Sequence, residues 1–217
     1  MAKTTFTVTN TLPQDTSQNV LVFTVPTQAN PNYTFAAWQN LNISPNGGSQ
    51  PFDFDINLSV IAEDQNTGTR SAPTPVKANQ VLLATYENLR GISLVPAVSN
   101  ADVSRITAQQ SGVINATDRK GGKAILLATE WYINGRAAVR VSNMNASAIA
   151  TFELQPSLYF FAAAPTVTGF NYTYQLVSQQ TKYVIPNPDQ TPAVDVKWTR
   201  GGDMAGADQF LFSPPSA

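Results

Sequence analysis

Hydrophobic and polar residues alternate with a period of two along most of this chain. In Thr5-Phe6-Thr7-Val8-Thr9 the apolar side chains fall on one side and the threonines on the other, the mark of a half-buried β-strand. Residues 19–25 are apolar on both faces, as suits a strand in the middle of a sandwich, and Pro26 ends them. The longest alternation runs over residues 52–62. Phe52, Phe54, Ile56, Leu58, Val60 and Ala62 share one face, and Asp53, Asp55, Asn57, Ser59 and Ile61 share the other. This pattern predicts one long strand with a wet face.

Further strands are predicted over residues 81–86, 125–133, 136–141, 149–154, 158–162, 166–177, 182–185, 194–198 and 209–212. Phe170, Tyr172, Tyr174 and Leu176 form an aromatic row on one face of the 166–177 strand. Asn134-Gly135 lies between two of these runs and supplies the positive φ angles of a type I′ turn, so a hairpin is expected there. Leu-Leu-Ala-Thr occurs at 82–85 and again at 126–129, a faint internal repeat. A helix is expected only near residues 100–110, with Asn100 as cap, Val103 and Ile106 on one side and Gly112 as the stop. Pro and Gly clusters separate the runs, and no linker-like stretch divides residues 1–217. The expectation is a single all-β domain, a β-sandwich or jelly roll of antiparallel strands with at most one short helix.

Composition narrows the chemistry. The 217 residues are 42% hydrophobic, enough for a sizeable core, but only 12% charged, about half the usual share of roughly 25%. Polarity is carried by 18 Asn, 15 Gln, 23 Thr and 15 Ser, against 13 basic and 14 acidic residues. Such a neutral, amide-rich surface repels its neighbours weakly and favours association. With no histidine and no cysteine, a Ser-His-Asp triad, a Cys-His pair, an ordinary zinc site and any disulfide are excluded. The 13 basic residues are scattered, which disfavours binding nucleic acid through its phosphates. Their one cluster, Arg119-Lys120-Gly121-Gly122-Lys123, lacks the spacing of a phosphate loop. No apolar run approaches membrane-spanning length and no signal peptide is read, so the expected location is the cytoplasm, the alternative being release by lysis or a signal-independent route. Six Asn-x-Ser/Thr sequons, at Asn32, Asn42, Asn57, Asn115, Asn145 and Asn171, follow from the abundance of these residues.

Three sets of side chains are candidates for chemistry. Asp53, Asp55 and Asn57 put three oxygen-bearing groups on one strand face; they are either a solvated face or, with Glu63, Asp64 or a neighbouring loop, a calcium site. The order lacks the glycine and the twelfth-position glutamate of a calcium loop. Glu130 with Glu87 is the pair to consider for carboxylate-based glycan hydrolysis. Tyr33, Trp38, Trp131, Tyr132 and Trp198 are the candidate platforms for sugar stacking, with core packing as the alternative for each.

Residues 20–26, Val-Leu-Val-Phe-Thr-Val-Pro, with Asn30-Pro31 and Ala36-Ala37-Trp38, resemble the start of the rhizosphere-expressed (RhiA-type) bacterial proteins. Thr24 stands where that family carries a glutamine. The resemblance covers residues 20–38 and implies a small β-rich bacterial protein without a known activity, so it carries over no functional residue. Together these readings predict a non-enzymatic protein that self-associates, as a structural or assembly protein, through neutral sheet surfaces. The alternative is a lectin-like module binding glycans through Trp and Tyr platforms, with or without calcium.

Overall fold

The computed structural model describes residues 3–13, 19–26, 32–55, 57–87, 91–119, 123–153, 157–163, 169, 172–185, 191, 193–200 and 208–215. The fold is an all-β sandwich of four sheets. Sheet I has the order β18 (Asp208–Ser213), β17 (Ala193–Arg200), β1 (Thr4–Asn10) and β5 (Gly48–Phe54). Sheet II runs β16 (Thr181–Val184), β14 (Ser157–Ala163), β2 (Asn19–Phe23) and β4 (Gln39–Leu41). Sheet III runs β15 (Tyr172–Thr173), β3 (Tyr33–Phe35), β12 (Arg136–Met144), β11 (Leu127–Ile133), β6 (Leu58–Asp64) and β7 (Thr74–Pro75). Sheet IV runs β13 (Ile149–Glu153), β10 (Gln110–Asn115), β8 (Gln80–Glu87) and β9 (Gly91–Pro96). The pairs are antiparallel except β1 with β17 and β8 with β10, which are parallel. No helix among the described residues is long and apolar enough to cross a membrane.

Alternation places the core. β1 turns Phe6 and Val8 inward and leaves Thr5, Thr7 and Thr9 half-exposed on the outer face of sheet I. Phe6 stacks on Phe52 with ring centroids 5.1 Å apart and meets Phe160 and Tyr183 of sheet II. Phe160 also contacts Phe210 and Phe212, so sheets I and II share an aromatic interior. Sheet III packs on sheet IV through Trp131, which stacks on Phe152 at 5.3 Å. Trp38 sets its ring edge-on to Phe52 and Phe54 and donates its indole N–H to the Ile133 carbonyl at 3.1 Å, linking sheets I and III. Buried apolar residues from all four sheets, Phe6 through Phe210, make one contiguous cluster. Asn115 lies fully buried between sheets III and IV. Its amide donates to the carbonyls of Ile125 and Met144, both at 2.8 Å, and its side-chain oxygen accepts from the Thr117 hydroxyl, so this polar group is satisfied. Its burial also withdraws that sequon from the surface.

Several expectations need correction. The alternating run 52–62 is two strands, not one: β5 ends at Phe54 in sheet I, and β6 begins at Leu58 in sheet III. A strand that switches sheets keeps its alternation across the corner, so the pattern alone cannot locate the break. The helix expected over 100–110 is only a single turn, α1 (Asn100–Val103), with Ser99 rather than Asn100 at its N-cap. Gly112 stops no helix; it sits inside β10. Within the predicted 166–177 strand, the described part is the two-residue β15 followed by α2 (Tyr174–Ser178). The Thr173 hydroxyl caps α2 by accepting the Leu176 N–H, which favours the helical turn. Among the described residues there are thus two short helices where at most one was expected. Phe170 of the aromatic row lies outside the described residues, and α2 replaces the strand that would have aligned the rest.

Candidate functional site

The corner between β5 and β6 is held by the hairpin tip that joins β11 to β12. Asn134 and Gly135 adopt φ of 51° and 73°, the turn geometry expected of Asn-Gly. Asn134 then grips the corner three times. Its backbone N–H donates to the Asn57 carbonyl at 2.9 Å, its side-chain N–H to the Asp55 carbonyl at 2.7 Å, and its side-chain oxygen accepts the Asn57 N–H at 3.2 Å. An open cleft of about 770 Å³ forms at this point, with Asp53, Asp55, Asn57, Ser59, Asn134 and Lys77 among its polar lining and Leu58, Pro75 and Val76 as its apolar part.

The predicted metal residues Asp53, Asp55 and Asn57 are therefore brought to one cleft, but their partners do not suit a cation. Asp53 pairs with Lys3 at 2.8 Å and accepts the Thr5 hydroxyl at 2.9 Å. The Lys3 ammonium, hydrogen-bonded to Asp53, holds its carboxyl below the usual aspartate range. The Asn57 amide turns its N–H, not its oxygen, toward Asp55 at 3.4 Å. Among the described residues no group of three or more acidic side chains is arranged to hold a metal ion.

Four of the five predicted aromatic platforms are core residues. Trp38, Trp131 and Trp198 are at most 1% exposed, and Tyr33 is buried with its hydroxyl donating to the Thr151 carbonyl at 2.9 Å. No ring face remains on these four for a sugar, because the inward faces of β11, β17 and β3 and the β3–β4 connection that carries Trp38 use them to fill the sandwich. Tyr132 alone is half-exposed. Its hydroxyl donates to Glu130 at 2.7 Å and accepts from Arg70 at 3.2 Å. Burial pushes this phenol above its ordinary range, and the neighbouring carboxylate adds to the rise.

Glu130 belongs to a closed ring of alternating charges on the outer face of sheet III. Arg140 makes a two-pronged contact with Glu63, at 2.8 and 3.2 Å, and also bonds Glu130. Arg70 bonds Glu130 on its other oxygen and approaches Glu63 at 3.4 Å. Both oxygens of Glu130 thus accept guanidinium N–H groups, and the side chain is only 6% exposed. A carboxyl so engaged has no free oxygen with which to act as a general acid or base. Glu87, the other half of the proposed hydrolytic pair, sits in sheet IV while Glu130 sits in sheet III. The ring's hydrogen bonds, Arg140 first, hold the Glu63 carboxyl below the usual glutamate range.

Sequence reasoning missed Arg70, Glu63 and Arg140 as one cluster. An unbroken register from the Asn-Gly turn sets Glu130 opposite Val139. A bulge between Trp131 and Tyr132 shifts it opposite Arg140. Of the basic cluster, Arg119 is taken up by Asp102 of α1 in a paired contact at 2.8 and 3.0 Å, while Lys120, Gly121 and Gly122 lie outside the described residues. Searches against protein-family models, curated proteins and solved structures return no significant match to this chain.

Proposed function

We propose that this protein acts without catalysis, by self-association through weakly charged, amide-rich sheet surfaces. The observation that carries this reading is where large apolar side chains reach solvent. Of the five exposed large apolar residues among those described, Val95 in β9, Val184 in β16 and Leu211 in β18 stand on edge strands, at 41%, 52% and 52% exposed; Val98 follows β9 in a loop and Leu176 lies in α2. Edge strands commonly carry charges or prolines that prevent pairing with other chains. On sheet I the outer face mixes hydroxyls and charges: Thr7 and Thr9 of β1 keep their hydroxyls outward, while on β17 Lys197 stands opposite Leu211 and Asp195 opposite Ser213. The test is light scattering over a concentration series in low and high salt. Oligomers that persist in high salt are expected, since neutral contacts are not screened. A strict monomer at every concentration overturns the reading.

The cleft beside Asn134 favours a second reading, the binding of a small neutral polar ligand such as a sugar. Two lysines and two aspartates in its lining balance in charge, and the Asn57, Asn134 and Ser59 side chains offer both donors and acceptors. A monosaccharide and disaccharide panel followed by amide chemical-shift changes is expected to perturb Asn57, Ser59 and Asn134. A panel that leaves all three unmoved removes this reading.

A further inference from the structure

We propose that β18 pairs antiparallel with the β18 of a second copy about a two-fold axis through Leu211, joining two four-stranded sheets I into one continuous sheet. This inference rests on the self-association reading and names the surface. Among the described residues there are eight sheet edges, and they differ in how long a run free of charge, proline and glycine they offer. β5 contains Pro51 and Asp53, β9 contains Gly91 and Pro96, β13 contains Glu153 and β16 contains Lys182. β4, β7 and β15 are three residues or fewer. β18 also begins with a charge, Asp208, but its residues 209–213, Gln-Phe-Leu-Phe-Ser, make the longest run on any of these edges without a charge, proline or glycine, five residues against four in β9 and β13.

That segment is also self-complementary. A two-fold axis at Leu211 sets Leu211 opposite its own copy, Phe210 opposite the second copy's residue 212, and Gln209 opposite the second copy's residue 213. No like charges meet. Leu211 points outward, while Phe210 and Phe212 point inward onto Phe160. The pairing therefore yields an aliphatic contact on the outer face and two aromatic cross-strand pairs on the inner face, the kind that stabilises sheets. A self-complementary patch of this sort gives a closed dimer rather than an open fibre. Five paired residues cover less than a standard interface of about 1,600 Å², so the dimer is weak and reversible, and the outer face leaves Leu211 accessible to chemistry.

The absence of cysteine makes the register directly testable. Leu211→Cys, Gln209→Cys and Ser213→Cys are prepared singly, checked for native circular dichroism and oxidised at about 100 μM, the range in which a weak dimer forms. Opposed residues in an antiparallel pair have Cα atoms about 4.5–5.5 Å apart, within disulfide reach. Leu211→Cys is expected to give a covalent dimer. Gln209→Cys alone stays reduced, but mixed with Ser213→Cys it gives the cross-linked heterodimer. Leu211→Lys is expected to weaken wild-type association at least tenfold. If wild-type protein forms oligomers but Leu211→Cys does not cross-link, or cross-links no better than Gln209→Cys, the β18 interface is wrong and the association reading stands. A wild-type monomer at all concentrations overturns both.

Discussion

The three tryptophans share near-complete burial but differ in how their indole N–H groups are treated. Trp38 donates to Ile133, whereas the N–H groups of Trp131 and Trp198 are buried without a partner among the described residues. Replacing each by phenylalanine removes the same atoms, so the difference in cost isolates the hydrogen bond. Trp38→Phe also takes one donor away from the Ile133 carbonyl. Urea denaturation is expected to show Trp38→Phe costing about 1 kcal/mol more than Trp131→Phe. At Glu130, deletion of the buried carboxylate leaves Arg140 and the partly exposed Arg70 to share Glu63 alone. Glu130→Ala is expected to lose about 3 kcal/mol of stability by the same measurement. Equal stability of Glu130→Ala and wild type would mean that the charge ring is not a structural clamp. For individual residues, the sequence shows which side chains share a face but not which face is inward. That is why Trp131 and Trp198, with core packing as the default for large aromatics in strands, could also be read as platforms.

Among the elements, the Asn134-Gly135 hairpin was legible because its turn chemistry is local. Its effect on the rest of the fold was not, since the grip on Asp55 and Asn57 spans 79 and 77 residues of sequence. Two substitutions separate the two contributions. Asn134→Gly retains the positive φ and loses the two side-chain hydrogen bonds, an expected cost of about 2 kcal/mol. Asn134→Ala loses the same bonds and adds left-handed backbone strain of about 1 kcal/mol. If both variants unfold at the wild-type denaturant midpoint, the tip does not hold the corner. The bulge in β11 and β12 is a similar case. It shifts the register by one residue and so decides which charges meet, yet no residue type announces it. Strands β1, β8, β12 and β17 were readable from alternation or apolar runs. β3, β4, β9 and β10 were not, because they are short or interrupt the period, and their pairing is fixed by neighbours distant in sequence.

For the whole molecule, the absence of histidine has a measurable result. Between about pH 5 and 7 no side chain with an ordinary pKa changes charge, so stability is expected to be flat there. Acid is different. Glu63 and Asp102 have carboxyls lowered by hydrogen-bonded Arg140 and Arg119, respectively. A lowered folded pKa contributes stability that is fully present above the ordinary carboxylate range and is lost as pH falls through the lowered value. Thermal melts are expected to show one midpoint from pH 5 to 7 and a fall below about pH 4. The Arg140→Leu variant should show a shallower acid dependence, since Glu63 then loses the principal cause of its shift. A midpoint that moves steadily across the neutral range would contradict this account. The all-β class was readable from composition and period, whereas the division into four sheets depends on long-range pairing.

One such pairing bears on how the protein is made. β1 lies between β5 and the parallel strand β17, and the Thr4 hydroxyl bonds the Thr191 carbonyl across 187 residues of chain. During translation at about 5–20 residues per second, one flank of β1 waits roughly 10–40 s for its neighbour to emerge. Throughout that interval the nascent chain presents a bare, threonine-lined strand to everything around it. Its vulnerability to misassembly is set by the pace of the ribosome before it is set by the finished structure.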